Sequence, residues 1–284
     1  MSKKIIPEPD EFFVGYLPNA PVKTMSILKW AVVAVGMSIV IIGTVLVISQ
    51  REFSATNFEY GKYTSVEGFI FKSPIPHIKI SERTESGDTH HRTMLLVGFG
   101  KAGADKTLLE FEETLGSLNG KFVKLDGELI YGDNKSLLQI SKERVPEIKT
   151  SIDTVSSIMK TQGIVSVSGE IVDPKCYFGV MKPGEGKPHR SCAIRCITGG
   201  IPPVFHADGK NDYYILLDEN LKPVNDRVLN MVGDRITFSG EVILFDNWKI
   251  LLVKNENLQE QAISAKLIRN LIAMEKGMTT CGIN

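Results

Sequence analysis

The tightest constraint on this chain is that it contains a partial copy of itself. Residues 120–140, GKFVKLDGELIYGDNKSLLQI, align without a gap with residues 233–253, GDRITFSGEVILFDNWKILLV, and seven of the 21 positions are identical. Among them are Gly120 and Gly233, Gly127 and Gly240, Glu128 and Glu241, and the Asp-Asn pairs 133–134 and 246–247. Apolar residues alternate at Val123 and Leu125, and again at Ile236 and Phe238, the period of a strand with one buried face. Each Asp-Asn pair starts a short turn, so each segment is expected to be a β-hairpin.

The likeness runs upstream. TSVEGFIF (64–71) and VSVSGEIVD (165–173) both place Gly two residues after Val within a strand. A further strand follows in each half, TMLLVGF from Thr93 and DYYILL from Asp212. Then comes a short helical segment, ADKTLLEFEETLGSL from Ala104 and VNDRVLNMV from Val224. Each half reads strand, strand, strand, helix, hairpin, the order of an OB-fold. The expected architecture is mainly β with short helices: two tandem OB-like five-stranded barrels, over 54–142 and 163–255. Between them, Ile148, Ile152, Val155 and Met159 stand at helical spacing, which predicts a helical linker over 143–162. After them, residues 256–284 form an amphipathic pattern with Ile263, Leu267, Leu271 and Met274 on one stripe. That stripe is expected to pack on the second barrel, with a partner or the membrane surface as the alternative.

One segment breaks the globular composition. Trp30 to Ile48 carries no charge over 19 residues, and as a helix it would be roughly 28 Å long, the depth of a bilayer's hydrocarbon core. The reading is a transmembrane helix over 30–49 behind a cytoplasmic segment, 1–29. No small-residue cleavage pattern follows it, which favours an uncleaved anchor over a signal peptide. Lys23 and Lys29 precede the span, with Lys3 and Lys4 further back, against Arg51 beyond it. That bias puts the N-terminus in the cytoplasm and the bulk outside, in a bacterium the periplasmic side of the inner membrane. Lys plus Arg equals Asp plus Glu at 33 each, without the basic excess that nucleic-acid binding needs.

A G-x-G-x-x-G run, Gly98, Gly100 and Gly103, lies between a strand and a helix, the local setting of a dinucleotide fingerprint. The next strand belongs to the repeated hairpin, so the sheet is antiparallel and lacks the βαβ units such a site needs. No nicotinamide cofactor is expected, and the glycines are read as shaping a turn.

The distance from Gly68 to Gly120 is 52 residues, and from Gly169 to Gly233 it is 64. The surplus falls in DPKCYFGVMKPGEGKPHRSCAIRC, residues 173–196, an elaboration between strands one and two of the second barrel. It holds Cys176, His189, Cys192 and Cys196, three of the four cysteines and one of the five histidines. Outside the cytoplasm the first expectation is a disulfide from Cys176 to Cys192 or Cys196, with Cys281 able to pair with the thiol left over. Such a bridge would stabilise by about 3 kcal/mol. The alternatives are a copper site, since thiolates with an imidazole suit Cu(I) and C-x3-C sets two sulfurs on one helical face, then a zinc site, then a redox thiol. His206 is a further ligand candidate. Asp173 reads as a turn residue before Pro174 or as a support for His189.

These residues also carry a resemblance. Gly169, Asp173, Cys176, Cys192, Cys196, Gly199, Gly233 and Gly240 resemble the pattern of small exported bacterial OB-like domains, over about 165–255. The resemblance implies fold and export and no particular reaction. A single anchor followed by a barrel is also similar in layout to the haem chaperone of cytochrome c maturation, although its haem-attaching H-x-x-x-Y is absent. No catalytic set emerges, since His90 and His91 fall in a charged segment read as a loop. The expected role is a non-catalytic accessory or assembly subunit of an envelope complex, such as a respiratory one, without a cofactor. The alternative is a metal or thiol-redox protein built on the cysteine segment.

Overall fold

The apolar run forms helix α1 (Val22–Ser49) in a computed structural model that describes residues 22–49, 56–83, 89–150, 155, 159–179, 181–209, 211–264 and 266–267. The helix starts well before Trp30, because no Pro or Gly lies between Val22 and Trp30 to stop it. Within it Thr24–Ser49 is long and apolar enough to cross a membrane, with a mean hydropathy of 2.8 and no buried residue. The chain divides into this N-terminal unit, Met1–Glu52, and a second unit, Phe53–Asn284.

The second unit contains two closed five-stranded barrels. The first comprises β1 (Thr56–Phe71), β2 (His77–Arg83), β3 (Thr89–Val97), helix α2 (Asp105–Leu115), β4 (Phe122–Gly132) and β5 (Lys135–Gln139). Its strands neighbour one another in the order β1-β2-β3-β5-β4, and β4 closes on β1. After a two-residue strand β6 (Glu147–Ile148), the second barrel comprises β7 (Met159–Val172), β8 (Val204–Ala207), β9 (Tyr213–Leu217), α5 (Asn225–Val228), β10 (Arg235–Phe245) and β11 (Trp248–Val253). Helices α3 (Pro174–Phe178) and α4 (Gly186–Thr198) fill the interval between β7 and β8. The second barrel closes in the same relative order. In both, one pair is parallel, β3 with β5 and β9 with β11.

From the strand glycines to the β-bulge the two copies share one register, and beyond it they part, Ile130 facing Phe58 but the equivalent Ile243 facing Thr161. Gly68 faces Val123 in one barrel and Gly169 faces Ile236 in the other. Both glycines are needed for close approach, because a Cβ there would overlap the carbonyl oxygen of Lys79 or of His206. The Asp-Asn pairs form two-residue turns, Gly132 facing Lys135 and Phe245 facing Trp248. Asp133, Asn134 and Asp246 are left-handed, as tight hairpins demand.

Three expectations are corrected. The helical linker is absent from its described residues: Glu147–Ile148 pairs with β4, and Met159 already opens β7. Since β5 covers β4 only from Glu128 onwards, the edge at Val123–Lys124 is open, and β6 takes its hydrogen bonds; Ile152 and its neighbours lie outside the described residues. His90 and His91 are on β3, paired with Glu82 and Ser81 of β2, and not in a loop. The C-terminal segment is helical at 255–264 and 266–267, but Leu258 is what packs into the second barrel while Ile263 and Leu267 are exposed. Leu271 and Met274 lie outside the described residues.

The two barrels share one core. Leu95, Val97, Ile130 and Leu137 of the first join Tyr213, Ile215, Phe245, Trp248 and Ile250 of the second in a single buried cluster. The repeated turns lock it reciprocally. Asp133 of the first barrel accepts a hydrogen bond from Tyr213 Oη, 2.6 Å away, on β9. Asp246 of the second accepts one from Thr93 Oγ1, 2.5 Å away, on β3. Thr93 and Tyr213 are equivalent positions, two residues before Leu95 and Ile215, which pair with the equivalent Leu137 and Ile250. Trp248 Nε1 also donates to Thr93 O at 3.2 Å, and Lys135 Nζ to Asn247 O at 2.6 Å.

Lys79 is fully buried at this seam, its Nζ 2.7 Å from Asp246. Asp246→Asn should therefore cost about 3–5 kcal/mol, because it strands a buried ammonium. Lys79→Met together with Asp246→Asn should recover most of that loss, as read by denaturant unfolding of the full chain in detergent. His77 lies beside this pair, stacked on Phe71 and edge-on to Phe245, with Nδ1 2.8 Å from Ile75 O. Burial, with the Lys79 charge adding to it, lowers its pKa to about 4. The unfolded chain then takes up a proton near pH 6.5 that the folded chain refuses until about pH 4. Stability should be intact above pH 6.5 and fall towards pH 4, by about 3 kcal/mol in the limit. His77→Phe should flatten that part of the pH–stability curve.

Candidate metal centre

The elaboration enters the seam as a buried helical turn. Asp173 caps α3, its Oδ1 accepting from Lys175 N at 2.9 Å, and Pro174 fills the first helical position. All five residues of α3 are buried, so its side chains must find partners inside. Cys176 faces the shared core alongside Tyr177 and Phe178. Lys175 reaches instead to the first barrel, donating to Gly98 O at 2.7 Å and Gly100 O at 2.6 Å. Burial lowers its pKa, opposed by Asp173 and the neighbouring cysteines.

Helix α4 supplies the other half. His189, Cys192 and Cys196 recur at i, i+3 and i+7, one face of a helix, and Ala193 and Ile197 continue the buried side. Its outer face is pinned by Arg190, which pairs with Asp234 at 2.9–3.0 Å and donates to Asn230 O at 2.9 Å. Asn225 Nδ2 takes two carbonyls at its end, Ile197 O at 2.7 Å and Ile201 O at 2.9 Å. The helix therefore cannot roll to turn its cysteines away.

These elements bring five donors together. The Sγ atoms of Cys176, Cys192 and Cys196 lie within 4.8 Å of one another, and so do donor atoms of Asp173, Cys176 and His189. Cys176 and Cys196 are buried, Cys192 is partly exposed, and all three are free thiols. The disulfide expected from Cys176 is thus not formed here; Cys281 lies outside the described residues. His206, the other proposed ligand, belongs to neither group. It stacks on Tyr213 with ring centroids 5.0 Å apart and approaches Tyr177 Oη and Glu185.

The electrostatics favour a cation. His189 is 2% exposed, yet neither ring nitrogen has a hydrogen-bond partner, and the buried Asp173 carboxylate, beyond Lys175 N, meets only the weakly donating Cys176 thiol. Buried polar atoms left unpaired cost about 1–3 kcal/mol each, and folded proteins rarely keep them without a ligand. Burial lowers the His189 pKa against the opposing Asp173 charge, which leaves the neutral, metal-binding imidazole. The Cys176 pKa is driven far up, by a hydrogen bond with the Cys196 thiol, then burial, then the Asp173 charge. Without a cation this thiol holds its proton.

The G-x-G-x-x-G run finds its use here. Lys101 Nζ is 3.2 Å from Cys192 Sγ, a contact that raises the lysine's pKa. Gly103 N donates to Gly199 O at 2.8 Å. A Cβ at Gly103 would overlap Gly200 O, and one at Gly199 would overlap Lys101 O. So the loop of the first barrel lies over the cysteine cluster of the second, backbone to backbone. Sequence reasoning missed Lys101 and Lys175. The signal was present as two glycine clusters, 98–103 and 199–200, that only make sense packed together.

No family model matches this chain, and no match was found to a curated protein or to a solved structure.

Gly199→Ala should lift this loop and destabilise the fold by about 1–3 kcal/mol. It should also speed alkylation of Cys192 by iodoacetamide in the full-length protein, whereas alanine at the exposed, uncrowded Lys106 should do neither.

Proposed function

We propose that this chain is a single-pass, membrane-anchored protein of the bacterial inner membrane whose extracytoplasmic part holds a soft metal ion, copper before zinc, at Cys176, Cys192 and Cys196 with His189. It serves an envelope complex, such as a respiratory one, as an accessory or assembly subunit and not as a catalyst. The observation that carries the reading is the buried, unpartnered His189 imidazole beside three converging free thiols. Three sulfurs within mutual reach suit a cuprous ion, and thiolate-rich sites discriminate against hard cations. The anchor follows from the uncharged run of α1, and the orientation from Lys23 and Lys29, which stand in the helix ahead of that run. Both barrels read as OB-like, since a five-stranded barrel with one parallel closing pair accords with the element order of the repeat.

A second reading has its own observation. Cys176 lies close enough to Cys196 to share a hydrogen bond, so in an oxidising compartment the two could instead close a disulfide that clasps α3 to α4. The two readings separate cleanly in one measurement. Full-length protein isolated from the envelope under anaerobic conditions is expected to show three alkylatable thiols among Cys176, Cys192 and Cys196 after metal removal. It should carry copper or zinc that Cys176→Ser, Cys192→Ser and Cys196→Ser together abolish. An intact mass showing a Cys176–Cys196 bridge, with no metal, would leave only the structural reading.

A further inference from the structure

We propose that the cluster is a two-ion centre in which the Cys176 thiolate is shared, with one ion held by Cys176, Cys192 and Cys196 and the other by Asp173, Cys176 and His189. This rests on the soft-metal reading above and specifies its stoichiometry and ligands.

The first argument is geometric. Metal–sulfur bonds are about 2.3 Å and metal–nitrogen bonds about 2.0–2.1 Å. Two ligands of one ion therefore lie at most about 4.6 Å apart, even on opposite sides of it. The five donors come within 4.8 Å of one another, close to that span, only as two sets of three, and Cys176 is the member common to both. A thiolate sulfur has lone pairs enough to bind two ions at once, and Cys176, on the buried turn between Asp173 and the α4 face, is the donor placed to do so.

The second argument is polar satisfaction. One ion on the three sulfurs would leave His189 Nδ1 and Nε2 buried without partners and, by displacing the Cys176 proton, would strip Asp173 of its contact with that thiol. One ion on the Asp173 side would leave the two α4 thiols unligated. Two ions engage every donor, and only one of the imidazole's nitrogens is left over. The Asp173 carboxylate is already half committed, because Oδ1 holds Lys175 N, and this fixes Oδ2 as its free donor.

The third is charge. Three thiolates and one carboxylate bring four negative charges. Two cuprous ions leave two, faced by Lys101, whose Nζ lies 3.2 Å from Cys192 Sγ, and by Lys175, whose Nζ is held at the Gly98 and Gly100 carbonyls. Binding is a proton exchange without electron transfer: each S–H bond breaks as a metal–sulfur bond forms, and three protons pass to solvent. The site thus differs from a structural zinc knuckle, which uses all its ligands on a single ion.

The test is anaerobic titration of the full-length protein, in detergent, with cuprous ion, read by native mass spectrometry. Wild type is expected to take two copper ions per chain. His189→Gln and Asp173→Asn, which keeps the helix cap, should each hold one. Cys192→Ser with Cys196→Ser should hold one, and Cys176→Ser none, with circular dichroism confirming that each variant is folded. Saturation of wild type at one copper, lost or weakened by His189→Gln, would overturn the two-ion centre and leave the soft-metal site standing. No copper bound at all would overturn both.

Discussion

The ion pair between Lys79 and Asp246, 2.7 Å long, its ammonium fully buried and its carboxylate nearly so, sits where each half of the molecule completes the other. A buried ammonium is tolerable only with its carboxylate in place, so the first barrel depends on a turn that belongs to the second. The reverse dependence runs through Asp133, which the first barrel's turn offers to Tyr213. Around these polar contacts the aromatic and aliphatic side chains of both barrels form one cluster. The cysteine elaboration inherits its position from this seam. Helix α3 can be wholly buried because β1 and β4 of the first barrel cover it, and Lys175 can be buried because the same barrel presents two carbonyls.

Much of this was legible in the sequence, because a repeat states the same constraint twice. The hairpins, the Asp-Asn turns and the paired strand glycines all follow from spacing and from backbone sterics. The location of the insertion followed from counting residues between equivalent glycines. The linker did not follow, since Ile148 and its neighbours have helical spacing but an open strand edge at Val123–Lys124 decides otherwise. Local periodicity loses to an unpaired ladder. The C-terminal stripe misled for a related reason: Leu258, at the very start of the helix, has the barrel within reach, while Ile263 and Leu267 point away.

At the site, the candidate donors were readable but their grouping was not. His189, Cys192 and Cys196 share a face by simple arithmetic. Whether Cys176 joins them depends on how far a buried turn reaches, and whether His206 does depends on the facing of β8. The seam also explains what the pattern of glycines could only suggest. A run that mimics a phosphate-binding loop is a packing surface, in which bare backbone lets two loops touch and leaves Lys101 beside a thiol.

The same seam has a temporal side. A ribosome delivers the first barrel before the strands that complete it, at about 5–20 residues per second. Until β10 and β11 are made, Lys79 has no counter-charge and Leu95 and Leu137 face water instead of Tyr213 and Trp248. For several seconds the nascent chain therefore carries a sticky half-core. A molecule built this way is open to aggregation while it is being made, and truncation between the barrels should yield an aggregating fragment and not a smaller domain.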